Sequence, residues 1–545
     1  MRRVFVGVAA ATAVLGVTGI AVAQITGGVP DAQPREGSPS TIVATGYHLR
    51  LLAAGDDPLE NATGIYTRYG YLNDSAQQAD HQDTKTEPDQ NTYLVTDNPG
   101  GPTDGYDYGR HFLIQGHEVF ASTAGVSHAY LTRVNLDVAD EDHRITLLNA
   151  PGADGNTGMT SIDGSTYDPF TGQLLFTAEA GSKGGVFATP LKWTSTKTPD
   201  VTPLHGSLGQ GGYEGIHNDK LGNLYIIEDT GGTGVTDNGT ATKVKQPNSF
   251  VYRFVPEDKG DLTKGVLQAL QISDAGTPIT FHDAATDPAG ARDDALGDAI
   301  LHLHSGDTLD AKWITVHDTA TDGTDPFDAN KAAKAKGATP LKRPENGKFV
   351  PGTDFSSFIV AETGDTDQKA GEYPGAAERG AWGALLRIDM KKAGADDAKV
   401  RTIVRGDATH ASFDNLAFLD KGTLLAAEDR GDTLHQELNV LDSLWSFDIG
   451  KPLDKINADA QRLVAQGRDP AATQDALLHE QTPSGTHNDG DNEVTGIHVS
   501  NGSTDPSGIL GAYDPGKSRG VRVFVTGQHG ANRTYEITAP GKGHP

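Results

Sequence analysis

The chain has 545 residues, with 73 acidic against 45 basic side chains and a formal charge of −28. That charge disfavours nucleic acid or an anionic membrane as a partner. The absence of cysteine excludes disulfides, thiolate nucleophiles and thiolate metal ligands.

At the N-terminus, Arg2 and Arg3 precede an apolar run from Val4 to Val22 that closes on Ala21-Val22-Ala23. This reads as an export signal over 1–23, with a start resembling a twin-arginine signal, and predicts a bacterial, extracytoplasmic protein. A membrane anchor is the rival reading. Residues 24–40 are rich in Pro, Gly and Ser and predict a flexible leader. A single domain is expected from 41 to 545. Residues 73–89 are polar and acidic and read as a loop.

A two-part phrase then recurs six times: an apolar strand ending in a carboxylate or amide, a turn, and an answering strand. The first halves are HFLIQGHE, QLLFTAEA, NLYIIEDT, SFIVAETG, TLLAAEDR and RVFVTGQH. The answers are YLTRVNLD, GVFATPL, FVYRFVP, ALLRIDM, SLWSFDI and RTYEI. Repeated strand pairs that cannot bury a face alone predict an all-β fold, a six-bladed β-propeller.

Further strands precede several phrases. YEGIHNDKLGNLYIIED aligns with STYDPFTGQLLFTAE and FDNLAFLDKGTLLAAED, with hairpin glycines at Gly222, Gly172 and Gly422. The alignment sets Asp414 opposite Glu214, and RPENGKFV places Glu345 similarly. Acids at the starts of innermost strands would face a central channel. Oxygen-only clusters suit hard cations such as Ca²⁺, Mg²⁺ or Mn²⁺. The competing reading is that such acids bond strand-turn amides, and for Glu179, Asp229, Glu362 and Glu428 the two readings are level.

Two insertions are expected, at 273–341 and 452–492, the first with a helix over Asp328–Lys336. Residues 231–247 read as a polar loop. His302 and His304 read as neighbours on one face of a strand. His117, His217, His410 and His529 read as structural or surface histidines, since none has zinc-helix spacing. No GxSxG nucleophile motif occurs, and no GxGxxG fingerprint opens a helix.

GYLND, LIQGHEVF, LLFTAEA, YEGIHNDKLGNLYIIEDTGG, KWITV, ATPLKRPENG, FDNLAF and NEVTGIHV occur in this order. Together they resemble the landmarks of the PhoX-type alkaline phosphatases, exported six-bladed propellers that hydrolyse phosphate esters with ferric and calcium ions. The resemblance implies iron-binding carboxylates at Glu118, Glu214, Glu345 and Asp414, a calcium-binding acid at Glu179, a further acid at Asp229, and a phosphate-contacting Arg343. It departs from the family where the iron-bridging cysteine is Ala178, the next acid after Glu179 is Ala180, and the Asn before His117-Glu118 is Gly116. The implied cofactor is therefore Ca²⁺, with Mn²⁺ or Mg²⁺ as alternatives and Fe³⁺ by family only. The implied partner is a small phosphate ester, on a monomer free of the membrane after signal cleavage. Two other functions remain open: a non-catalytic, Ca²⁺-stabilised binding propeller, and a lactonase-like hydrolase with one central Ca²⁺.

Overall fold

The computed structural model describes residues 41–61, 66–70, 86–118, 129–149, 156–191, 201–236, 243–296, 298–365, 377–429, 442–465, 493–505, 514–528 and 532–538. The expected signal, the leader, most of GYLND, His529 and most of the second insertion lie outside these residues.

Antiparallel sheets dominate. Every first half of the repeated phrase is a strand, and each pairs with its answering strand. Each also pairs with a strand that precedes it in the chain. These six preceding strands are Glu87–Val95, Ile162–Asp168, Tyr213–Asn218, Pro344–Phe349, Phe413–Phe418 and Glu493–Ser500. Each of them neighbours the next, and Glu493–Ser500 returns to Glu87–Val95, so they enclose a central axis.

The apolar residues explain the ring. Successive strand residues point to opposite faces, so Leu175 packs towards Ile216 and Ile226 while Phe176 packs towards Ile114 and Leu131. Comparable layers fill each remaining gap between neighbouring sheets, the last joining Leu52 and Phe524 to Tyr93 and Leu113. The core is thus distributed between sheets, and the axis is left to polar side chains. Burying one Phe or Leu in such a layer contributes roughly 1.5–3 kcal/mol.

The N-terminal segment closes the ring. His48–Ala53 pairs with Arg533–Thr538, and Ile42–Val43 pairs with Gln461–Ala465. Strands from the two ends of the described chain therefore lie side by side.

Several expectations change. The 73–89 loop reading fails at its end, because Glu87–Val95 is an inner strand and carries Asp89. His302 and His304 lie on the helix Asp298–Ser305, so their spacing of two does not put them on one face. His302 pairs with Asp274 at the surface, and buried His304 bonds Glu362 at 2.8 Å. The 273–341 segment is no simple excursion: its strand Leu309–Asp318 pairs with two sheets and joins them into one of ten strands. In the second insertion, Gln461–Ala465 completes a sheet. Within 231–247 a short hairpin pairs Gly234–Thr236 with Lys243–Lys245. The helix expected at Asp328–Lys336 is present as Ala329–Lys336, with the Asp328 side chain capping Lys331 N.

Candidate metal centre

Every inner strand has a register shift near its start, where an extra residue bulges from the ladder. A bulge bends the strand and re-aims a side chain. In five of the six the first bulged residue is an acid: Asp89, Asp163, Glu214, Glu345 and Asp414. The sixth has Gly496 there. The acids therefore converge because the same local irregularity recurs around the axis.

A second set stands just beyond the ends of the adjacent strands: Glu179, Asp229, Thr363 and Asp429. Their amide N–H groups donate to the carbonyls of Ser161, Gly212, Arg343 and Ser412, each at 2.8 Å. Each acceptor lies two residues before a bulged acid. Ser161, Arg343 and Ser412 hold φ between 42° and 57°, a left-handed conformation that costs non-glycine residues energy. One repeated hydrogen bond thus locks the two sets together, and Arg343 occupies a position that is Ser or Gly in the other three.

The result is a connected acidic centre. Asp89, Asp414 and Glu493 offer oxygens within 4.8 Å of one another, as do Asp89, Glu118 and Asp163; Asp163, Glu179 and Glu214; and Glu214, Asp229 and Glu345. Shared members link the four groups through nine carboxylates. All six expected metal-binding acids, Glu118, Glu179, Glu214, Asp229, Glu345 and Asp414, belong to it.

Arg343 is held by this centre. Its Nε donates to Asp229 Oδ2 at 2.8 Å and its Nη2 to Glu345 Oε1 at 3.0 Å, with Asp429 Oδ2 at 4.0 Å. Its side chain remains 22% exposed. Burial opposes the Arg343 charge, but Asp229, Glu345, Asp429 and Glu179 more than compensate and hold its pKa above the usual range.

The carboxylates repel one another. Burial, then the charges of Glu179 and Asp89, pushes Glu118 up. Burial with Asp163 and Glu345 does the same to Glu214, and burial with Asp89 and Glu493 to Asp414. Burial raises Asp89 to about 6 despite hydrogen bonds from Thr495 and Asn415. Burial and Asp229 raise Glu179 to about 8. Buried like charges at this spacing require protons or cations.

Cations fit the donor set. Glu118 Oε1, Asp163 Oδ1 and Asp229 Oδ1 are buried without hydrogen-bond partners among the described residues, and all donors are oxygens. Hard ions such as Ca²⁺, Mg²⁺ or Mn²⁺ match that chemistry.

Other acids of the phrase separate cleanly. Glu362 accepts from Lys342 N, Glu428 from Ala411 N and Ser443 N, and Glu228 from Phe250 N. These are structural, whereas Glu179 and Asp229 join the acidic centre. His117 sits between Thr86 and Thr132 and His410 bonds Asp407, as structural histidines do.

The departures also gain physical reasons. A side chain at Gly116 would place its first carbon 2.7 Å from Asp163 O, so the approach of the Ile162–Asp168 strand excludes one. Ala178 is buried in the apolar layer with Ile162, Phe176 and Phe187. It is the next residue, Glu179, that reaches Asp163 and Glu214.

Sequence reasoning missed Asp89, Asp163, Glu493 and Asp429. Asp163 was accessible: IDGSTYD extends the alignment with YEGIHND by three residues and puts Asp163 opposite Glu214. Pro88-Asp89-Gln90 likewise parallels Pro344-Glu345-Asn346.

The family described as alkaline phosphatase PhoX matches residues 223–505, more than half of the chain. The chain belongs to the PhoX alkaline phosphatase family. Among solved structures it is similar to Pseudomonas fluorescens PhoX in complex with vanadate, a transition state analogue. That match has 12% identity and a TM-score of 0.52, covering 95% of this chain and 98% of that one. At this identity the likeness establishes the fold. Weaker matches include TolB from Acinetobacter baumannii, at 10% identity and TM-score 0.27, covering 83% of this chain and 65% of that one. Another is a PQQ-bound aldose sugar dehydrogenase from Streptomyces coelicolor, at 13% and 0.27, covering 72% and 96%. No curated protein matches the sequence.

Proposed function

We propose that this PhoX-family chain is an exported, metal-dependent phosphomonoesterase built as a six-bladed propeller. The blade count is supported by six inner strands in cyclic contact and an apolar layer between each neighbouring pair of sheets. The observation that carries the function is the set of four overlapping acidic groups, one of which holds Arg343 through Asp229 and Glu345.

Glu118, Glu179, Glu214, Asp229, Glu345 and Asp414, with Asp89, Asp163 and Glu493, would hold the ions. Bound ions of this kind supply Lewis-acid polarisation of a phosphoryl oxygen and an ionised water at neutral pH. The protein side chains do the rest. The bulged strands hold the acids at fixed positions, so little reorganisation is needed when charge develops. Asp229 and Glu345 orient the planar guanidinium of Arg343, whose partly exposed side chain suits recognition of a phosphate. Without a thiol at Ala178 the donor set is all oxygen, which suits hard cations such as Ca²⁺, Mn²⁺ or Fe³⁺ as the resident ions.

A lactonase-like site with a single Ca²⁺ would not require four linked groups of acids. The deciding experiment strips the protein with chelator and restores Ca²⁺, Mn²⁺ or Fe³⁺ separately. Hydrolysis of p-nitrophenyl phosphate and metal content per chain are then measured. Several ions with activity are expected. One ion per chain without phosphatase activity would favour the lactonase reading, and bound ions with no hydrolysis of any kind would favour a binding propeller.

A further inference from the structure

Beyond the acids, the axis changes character. Three residues further along the strands than Glu214 and Glu345, past the bulges, stand His217 and Lys348. They line a cavity to which all six inner strands contribute, and none of its lining residues is acidic. In a chain of net charge −28 that composition is unexpected.

The polar groups of this cavity are poorly matched. The Lys348 ammonium makes no hydrogen bond or ion pair among the described residues. Gln90 is 4% exposed, and its Nε2 is buried without a partner. His498 Nε2 accepts from Tyr93 N at 3.3 Å, so in the neutral ring the proton sits on Nδ1 as a donor. His217 Nε2 is engaged with Asn346 Oδ1 at 3.0 Å. Burial lowers Lys348 to about 8 and His217 to about 3, and burial with Lys348 and His217 lowers His498 as well. Lys348, His217 and His498 are each partly buried, so an ammonium and several polar groups share this part of the axis without a counter-charge from the protein, which is unfavourable.

The cavity measures 30 Å³, room for one or two waters or one monatomic ion, and too little for a phosphate ester. We propose that it is a binding site for a single small monovalent anion, of chloride or bromide size, held by the Lys348 ammonium and the Nδ1–H of His498. The ion would supply the charge that Lys348 lacks and accept from Lys348 Nζ and His498 Nδ1. The site is separate from the acidic centre and does not depend on the phosphatase reading.

The test uses the full chain with its ions as purified. Crystals soaked in sodium bromide are measured at the bromine absorption edge. One anomalous peak is expected in the cavity within about 3.5 Å of Lys348 Nζ. In solution, replacing gluconate by chloride at constant ionic strength should raise the melting midpoint saturably, by about 3 °C or more once the site is filled. Lys348→Gln should abolish both signals, and Lys348→Arg should retain the bromide peak. No bromine peak in the unmodified protein, or a chloride effect unchanged in Lys348→Gln, overturns the proposal. The bromide measurement needs no variant, so a misfolded Lys348→Gln leaves it decisive.

Discussion

The two ends of the axis are built from the same strands and solve opposite electrostatic problems. At the acidic end, nine carboxylates link into one centre, two of which, Asp229 and Glu345, hold Arg343. About three residues along, Lys348 and two histidines stand among neutral amides with no acid beside them. Between the two, Asn415 donates to both oxygens of Asp414 at 2.6 Å, and His217 turns to the side chain of Asn346. The difference shows that the fold prescribes positions on the axis while residue type sets their charge. The bulges place acids at one level, and the regular ladder beyond them offers positions that the sequence fills with amides, neutral histidines and one lysine.

The sharpest way to break this contrast is to remove the ions. Each ion held at about 1,000 times its dissociation constant stabilises by about 4 kcal/mol. Chelation is therefore expected to lower the melting midpoint by roughly 10 °C or more, measured by scanning calorimetry. The pH dependence should invert as well. In stripped protein the folded state binds more protons than the unfolded chain, because Asp89 is raised to about 6 and Glu179 to about 8. Stability of the stripped protein should then be fullest below about pH 4 and fall as pH rises to about 8, by linkage. The loaded protein should show no such fall, since cations replace the protons. Parallel profiles for the two forms would remove the metal reading.

Glu214→Gln should come next in size, because Glu214 belongs to two of the four groups. Loss of at least one ion by elemental analysis and a fall in kcat/KM of about 100-fold or more are expected. Arg343→Ala should be milder: ions retained, with turnover of a phosphomonoester down by about 10- to 100-fold. Equal loss of ions and activity there would mean that Arg343 only props the carboxylates. Glu428→Gln should be smallest in function. Its oxygens accept from Ala411 N and Ser443 N, so it should cost about 1–3 kcal/mol in a denaturant titration with metal content unchanged.

Much of the candidate site was legible because repetition exposes equivalent positions. Glu214, Glu345 and Asp414 could be aligned by their turns and by the apolar runs that follow them. Asp89 was lost because its approach is polar and lacks such a run on the N-terminal side. His302 and His304 were misplaced because an i, i+2 spacing on a short apolar run does not tell helix from strand. Glu362 and Glu428 could not be separated from Glu179 and Asp229, because both kinds close the same phrase. Only the backbone shows that Glu228, Glu362 and Glu428 bind amides while their next neighbours Asp229 and Asp429 turn towards Arg343.

By itself the sequence determined that this is a repeated antiparallel β protein of the PhoX kind, with no thiol to bind metal and an excess of acid at strand starts. Local patterning carries that information, since strand alternation and turn residues are properties of neighbouring positions. The tertiary structure decided which acids meet and where Lys348 stands apart from them. Those facts depend on closing the ring, which brings Asp89 to within reach of Asp414 from more than three hundred residues away. Contacts at that separation are fixed by packing between sheets and leave no trace in any local window of sequence.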